Sequence, residues 1–245
     1  MKFSDIMVKR IGNLPESYMI TNKIIQTIYP NVNYKILLRR MEPLTEYKLN
    51  KIYNHKQSIP DFIETTFKWE KEESNIIHSG NILGNFGKLK VPTDNLIIPV
   101  NIANYNNVKF YEAELYNIYD IINFRCIEEI PLSEMSIGKK YVDGYINNKE
   151  LGGGQYLEYH NNPHYHSPIY TDTQGFYILG KIKQDKLLLS AFIIPFTKGI
   201  YTPANIIHSD ANLIGQWLVS YSKSKEYSTV LLRNNNDELV NVLFR

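Results

Sequence analysis

From about residue 92 onward the apolar residues fall in short runs cut by Gly, Asn and Asp, the pattern of strands separated by turns rather than of helices. Ten segments read as strands: 96–100, 108–115, 124–130, 141–146, 155–160, 176–183, 187–196, 213–222, 229–233 and 239–245. The polar tetrapeptides at 183–186 and 234–237 read as hairpin connections. Strands at this spacing predict a mainly β fold, with a double-sheeted jelly roll as the economical architecture. Before residue 92 the apolar positions lie closer to helical spacing. Helices are expected over 17–28, stopped by Pro30, over 44–53, after Pro43, and over 59–70, with Pro60 in the first turn. The pattern therefore divides the chain into a mixed, partly helical N-terminal extension, 1–91, and a β domain, 92–245.

Composition narrows the function classes. The 245 residues carry 27 Lys and Arg against 25 Asp and Glu, and no basic stripe of the kind that grips phosphate backbones, so nucleic acid is not an expected partner. The single cysteine, Cys126, can form no intramolecular disulfide, and its parity with Phe124 places it in the core. Charges break the N-terminal apolar residues before a signal-length stretch forms, and no window reaches the ~18 apolar residues of a membrane span. A soluble, cytoplasmic protein is expected, secretion without a cleaved signal remaining open.

The candidate chemistry is concentrated. Four of the six histidines, His160, His164, His166 and His208, lie between residues 152 and 212, while His55 and His78 lie far upstream. His164 and His166 are spaced to share one face of a strand, which is metal-ligand spacing. His208 belongs to a different strand-like segment. Two imidazoles from one strand and a third from a neighbour would leave coordination positions open, as catalysis requires.

These residues resemble the two motifs of the cupin superfamily. Gly154, His164, His166 and Gly180 match the first motif with its initial gap stretched, and Pro203, His208 and Asn212 match the second at the family spacing. Asn205 stands where the family has glycine, a mild change because asparagine also tolerates left-handed backbone. The resemblance covers roughly residues 92–245. It implies a jelly-roll barrel, a divalent transition metal, a small-molecule substrate and, since cupins often pair through sheet edges, a homodimer. Where the family places its glutamate ligand, this chain has Thr173 followed by Gln174. Three readings of the centre stand. A three-histidine site of His164, His166 and His208 resembles the iron-binding cysteine-dioxygenase branch. Glu158 or His160, which share strand parity with that pair, would supply a fourth ligand if Pro163 did not interrupt the strand. In the third reading metal binding is lost and the histidines line a pocket.

Iron is the first expectation for the ion, with zinc, manganese or nickel as alternatives, and the chemistry implied is that of an oxidoreductase or an isomerase or lyase. Tyrosines crowd the motifs. Tyr177, Tyr201 and Asp210 are the candidates for proton transfer, and Tyr156, Glu158, His160 and Gln174 for substrate binding. Tyr165, between the paired histidines, should point away from the metal. A metal-free sugar epimerase using a His and Asp pair with a Tyr, or a non-catalytic binding barrel, is the competing class. Other enzyme families fit less well. His208-Ser209-Asp210 has no histidine downstream, as 2-oxoglutarate oxygenases need; Gly152-Gly153-Gly154 leads into a strand rather than a phosphate-binding helix and reads as a tight bend; no serine-hydrolase elbow exists.

Overall fold

Alternating buried and exposed positions organise the described residues, 7–45, 56–71, 85–221 and 228–245 of a computed structural model, mostly into strands. In chain order these are β1 (Lys9–Ile11), β2 (Tyr18–Ile28), β3 (Asn33–Leu37), β4 (Arg40–Leu44), β5 (Ile63–Thr66), β6 (Lys68–Lys71) and β7 (Asn85–Lys90). Then come β8 (Asn95–Ile98), β9 (Val100–Ile102), β10 (Glu114–Asn117), β11 (Ile121–Asn123), β12 (Ile130–Ile137), β13 (Tyr156–Tyr159) and β14 (His164–Pro168). The last are β15 (Gln174–Lys183), β16 (Lys186–Ile193), β17 (Lys198–Thr202), β18 (Ile207–Ser220), β19 (Ser228–Arg233) and β20 (Asn241–Phe244).

Among the described residues, fifteen of the strands belong to one hydrogen-bonded system and no sheet closes on itself. The long strand β18 joins its two halves. Near its start β18 pairs with β13 and β15; beyond Gly215 it pairs with β12 and β14. Gly215 has φ +99°, a conformation that costs glycine little and other residues much, and it lets the strand turn from one half-sheet into the other. One half runs β1-β2-β12-β18-β14-β17-β10, antiparallel throughout. The other runs β6-β7-β19-β13-β18-β15-β16, with β5 and β9 alongside β16.

The two halves share a core. Met19, Met135, Ile200, Trp217 and Val219 from the first half pack with Tyr156, Tyr177, Leu179, Phe192 and Leu231 from the second. Burying each such side chain contributes roughly 1.5–3 kcal/mol. Outward-facing residues of the first half, among them Leu132, Tyr165, Tyr201 and Leu218, are covered by the β11-β3-β4 sheet. Those of the second half, including Leu157, Ile178 and Leu189, cluster with Leu96 and Ile98 of β8. Strands from before and after residue 91 thus pair together, as β2 does with β12 and β5 with β16.

Several expectations are corrected. Residues 17–28 form no helix but β2, whose alternation is interrupted by two register shifts against β12; those bulges imitate a helical period. Residues 59–70 likewise give β5 and β6, and the helix expected at 44–53 lies mostly outside the described residues, as do His55 and His78. The strand expected at 108–115 is a short helix, Tyr105–Val108, capped reciprocally by Asn104 and Asn107, followed by a 3-10 turn, with strand only from Glu114. Residues 141–146 form a π-helical turn, Val142–Ile146, and 124–129 connect β11 to β12. Cys126 is nonetheless in the core beside Phe124. Among the described residues no helix is long and apolar enough to cross a membrane.

Candidate metal centre

Strand parity delivers the site. On β13, Tyr156 and Glu158 face the shared core while Leu157 faces out, and His160, one residue past the strand, is buried near Glu158. A turn at 161–163 then carries the chain across to β14. Its side chain Asn162 is pinned, accepting from the Ile127 amide at 3.1 Å and donating to Glu128 at 3.2 Å. On β14, His164 and His166 are buried on the inner side and Tyr165 joins the outer cluster, as alternation predicts. His208 on β18 is registered directly opposite Glu158. The turn before it contains Asn205 at φ +66°, the left-handed conformation expected there, and its amide donates to the His160 carbonyl at 2.7 Å. Asn212 and Gln155 exchange amide hydrogen bonds of 3.1 and 3.4 Å, tying β18 to the start of β13.

Four buried donors converge. One ligand atom from each of Glu158, His160, His164 and His208 lies within 4.8 Å of the others. His208 Nε2 is 3.1 Å from His164 Nδ1, 3.3 Å from His160 Nε2 and 3.5 Å from Glu158 Oε2. Ligands held ~2.0–2.2 Å from one ion lie roughly 3.0–3.6 Å from each other, so these separations match a common coordination sphere. The tautomer fits as well. His208 Nδ1 sits 2.8 Å from the Ile206 carbonyl, which can only accept, so Nδ1 carries the proton and Nε2 presents its lone pair to the cluster. Burial depresses the basicity of all three rings, His160 to about 3, with the nearby His208 adding, and His208 to about 4. His164, fully enclosed and surrounded by the other imidazoles, is pushed down in the same direction. Neutral imidazoles beside a carboxylate are the form in which these side chains bind metal.

A second arrangement adjoins the first. Asp210 shares the parity of His208 on β18 and its carboxylate faces inward, while Asp210 and Ala211 together oppose only Tyr177 of β15, a bulge that also turns Ala211 into the shared core. Asp210 Oδ1 accepts from the Tyr156 hydroxyl at 2.7 Å, and Oδ2 lies 3.5 Å from His166 Nε2. Burial opposes ionisation of Asp210, yet its neighbours His166, Tyr156 and Arg10 hold the carboxyl below its ordinary range. Buried Arg10 donates to the hydroxyls of Tyr141 and Tyr156 at 3.3 and 3.5 Å. Neither ring nitrogen of His166 has a hydrogen-bond partner among the described residues. The Tyr177 ring lies 4.8 Å from that of His166, and its hydroxyl pairs with Thr202 at 3.0 Å.

The expected triad is therefore redrawn. His164 and His208 meet, but His166 stands beside Asp210 rather than in the cluster, and Glu158 and His160 complete the set. The turn at 161–163 is responsible: it folds His160 back to 4.2 Å from His164, ring to ring, while His166, two positions along an extended strand, is 5.6 Å away. Tyr201 is not at the site. It faces the opposite side of its sheet, where its hydroxyl accepts from the Arg125 amide and its ring packs on Phe124. Gln174, exposed at the start of β15, is not there either. Glu158 and His160, which strand parity offered as a fourth ligand, both join the cluster even though the strand breaks at 161–163.

The fold and site thus define a mainly β protein with a buried group of three histidines and one glutamate that could hold a metal ion. No family model, curated protein or solved structure matches the chain.

Proposed function

We propose that the chain is a metal-dependent enzyme of the cupin kind, acting on a small molecule by oxygenase or isomerase and lyase chemistry at an ion held by Glu158, His160, His164 and His208. The observation that carries this reading is the convergence of four buried ligand atoms within 4.8 Å. Packing so many polar atoms around one point is costly unless a cation satisfies them together. The cupin resemblance implies two histidines and a glutamate from the first motif and a histidine from the second. Here Glu158 stands in for the absent downstream carboxylate and His160 for His166. Two half-sheets sharing β18 around one core support the double-sheeted jelly roll of that family. Four protein ligands close a tetrahedral zinc site but leave two positions open on an octahedral ion, which favours iron or manganese for catalysis.

A specific observation supports one rival, a metal-free epimerase: the His166 and Asp210 pair, 3.5 Å apart beside Tyr177. Elemental analysis of protein purified without chelators separates the two. The metal reading predicts one ion per chain, lost in His160→Ala and His208→Ala and retained in His166→Ala. Wild-type protein that binds no transition metal contradicts it and turns the assignment to the His166 and Asp210 pair.

A further inference from the structure

Against Glu158, one of the four donors, lies a cavity of about 20 Å³, lined also by Arg10, Tyr145, Gly152, Tyr156 and Thr229 among others. Glu158 belongs both to this cavity and to the metal cluster. The space is small, since roughly 10–15 Å³ holds one water. Its wall is built deliberately. The π-helical turn Val142–Ile146 presents Tyr145, and the triple glycine closes that turn, Gly152 donating to the Tyr145 carbonyl at 2.9 Å. A Cβ at Gly152 would come within 2.5 Å of the Ile146 Cα and the Tyr145 carbonyl oxygen, so no larger residue allows this approach.

Two features of the lining point to a ligand. The hydroxyls of Tyr145 and Thr229 are buried, with their residues 3% and 4% exposed, and neither has a hydrogen-bond partner among the described residues. Buried hydroxyls are almost always satisfied, and two orphans bordering one cavity ask for a shared acceptor. Arg10, 8% exposed, adds a fixed positive charge to the same wall. The charge balance agrees. With a divalent ion in place, the ion and Arg10 bring three positive charges while Glu158 and Asp210 bring two negative ones, so a singly charged anion neutralises this interior cluster.

We infer that the cavity is a subsite for a formate-sized oxyanion, held by Arg10 and the hydroxyls of Tyr145 and Thr229 beside the Glu158-bound ion. This names a substrate class for the proposed metal enzyme and rests on that reading. The test uses the full chain loaded with cobalt(II), its metal content fixed by elemental analysis, and formate as the probe, followed by the cobalt absorption spectrum and by calorimetry. Formate should bind saturably, and benzoate, too large for the cavity, at least tenfold more weakly. Thr229→Val and Tyr145→Phe, which remove one hydroxyl each and replace no metal ligand, should keep full cobalt content and weaken formate roughly tenfold. A fully loaded protein that ignores formate, formate affinity unchanged in both variants, or benzoate binding as tightly as formate overturns the subsite alone. Failure of the wild type to take up cobalt overturns the metal reading, and this proposal with it.

Discussion

Acidifying the metal-free protein should destabilise it steeply below neutrality, and the size of the effect follows from the buried imidazoles. His160 and His208 refuse protons in the folded chain until about pH 3 and about pH 4, whereas in the unfolded chain they titrate near 6.5. A depressed histidine pKa means the unfolded state binds the extra proton, so the stability present above pH 6.5 is lost as pH falls, and the loss levels off only near the folded values. Each ring costs about 1.4 kcal/mol per pH unit inside that window, hence about 2 kcal/mol per ring, or about 4 kcal/mol for the two, between pH 7 and 5. His164 acts in the same direction. Against a total stability of roughly 5–15 kcal/mol this is a large fraction. Urea unfolding in the presence of EDTA, followed by tryptophan fluorescence at pH 7, 6 and 5, measures it. A His160→Gln, His208→Gln double variant should flatten the profile. Loss of less than about 1 kcal/mol by the wild type from pH 7 to 5, or an equal loss in the double variant, refutes the reasoning.

Three further outcomes are expected. Asp210→Asn deprives Tyr156 of a charged acceptor and leaves Arg10 less compensated, so urea unfolding should show a loss of about 2–3 kcal/mol, with metal content unchanged because Asp210 lies outside the ligand cluster. Gly199→Ala drives a methyl into the buried Tyr165 ring, and thermal unfolding should register about 1–3 kcal/mol of destabilisation. Burial raises the pKa of the Cys126 thiol, so Ellman's reagent at pH 8 should react with it only after denaturant is added.

The sequence was most legible where a short apolar run is bounded by turn residues. β13, β15, β16, β19 and β20 lie where the apolar runs put them, the left-handed Asn205 follows from residue type, and Cys126 is buried although the strand whose parity placed it does not form. The hairpin at 184–185 is equally plain, both residues having positive φ. Legibility failed where tertiary pairing overrides local pattern. The bulges of β2 disguise a strand, and the aromatic run at 141–146 becomes a π-helical turn because Gly152 and Gly154 dock their amides on its carbonyls. At the site, parity placed His164 and His166 on one side and Tyr165 on the other. It could not show that the chain crosses between half-sheets at 161–163, which brings His160 to the cluster and leaves His166 with Asp210. Tyr201 misled for a related reason: proximity in sequence to the motif says nothing about which face of β17 a side chain occupies.

Anomalous diffraction from crystals grown with iron or manganese, collected at the edge of that metal, tests the central assignment most directly. A single peak roughly 2.0–2.2 Å from a nitrogen of each of His160, His164 and His208 and from a Glu158 oxygen is the predicted result. No peak among these side chains, or one bound by His164 and His166 with His160 turned away, would contradict it.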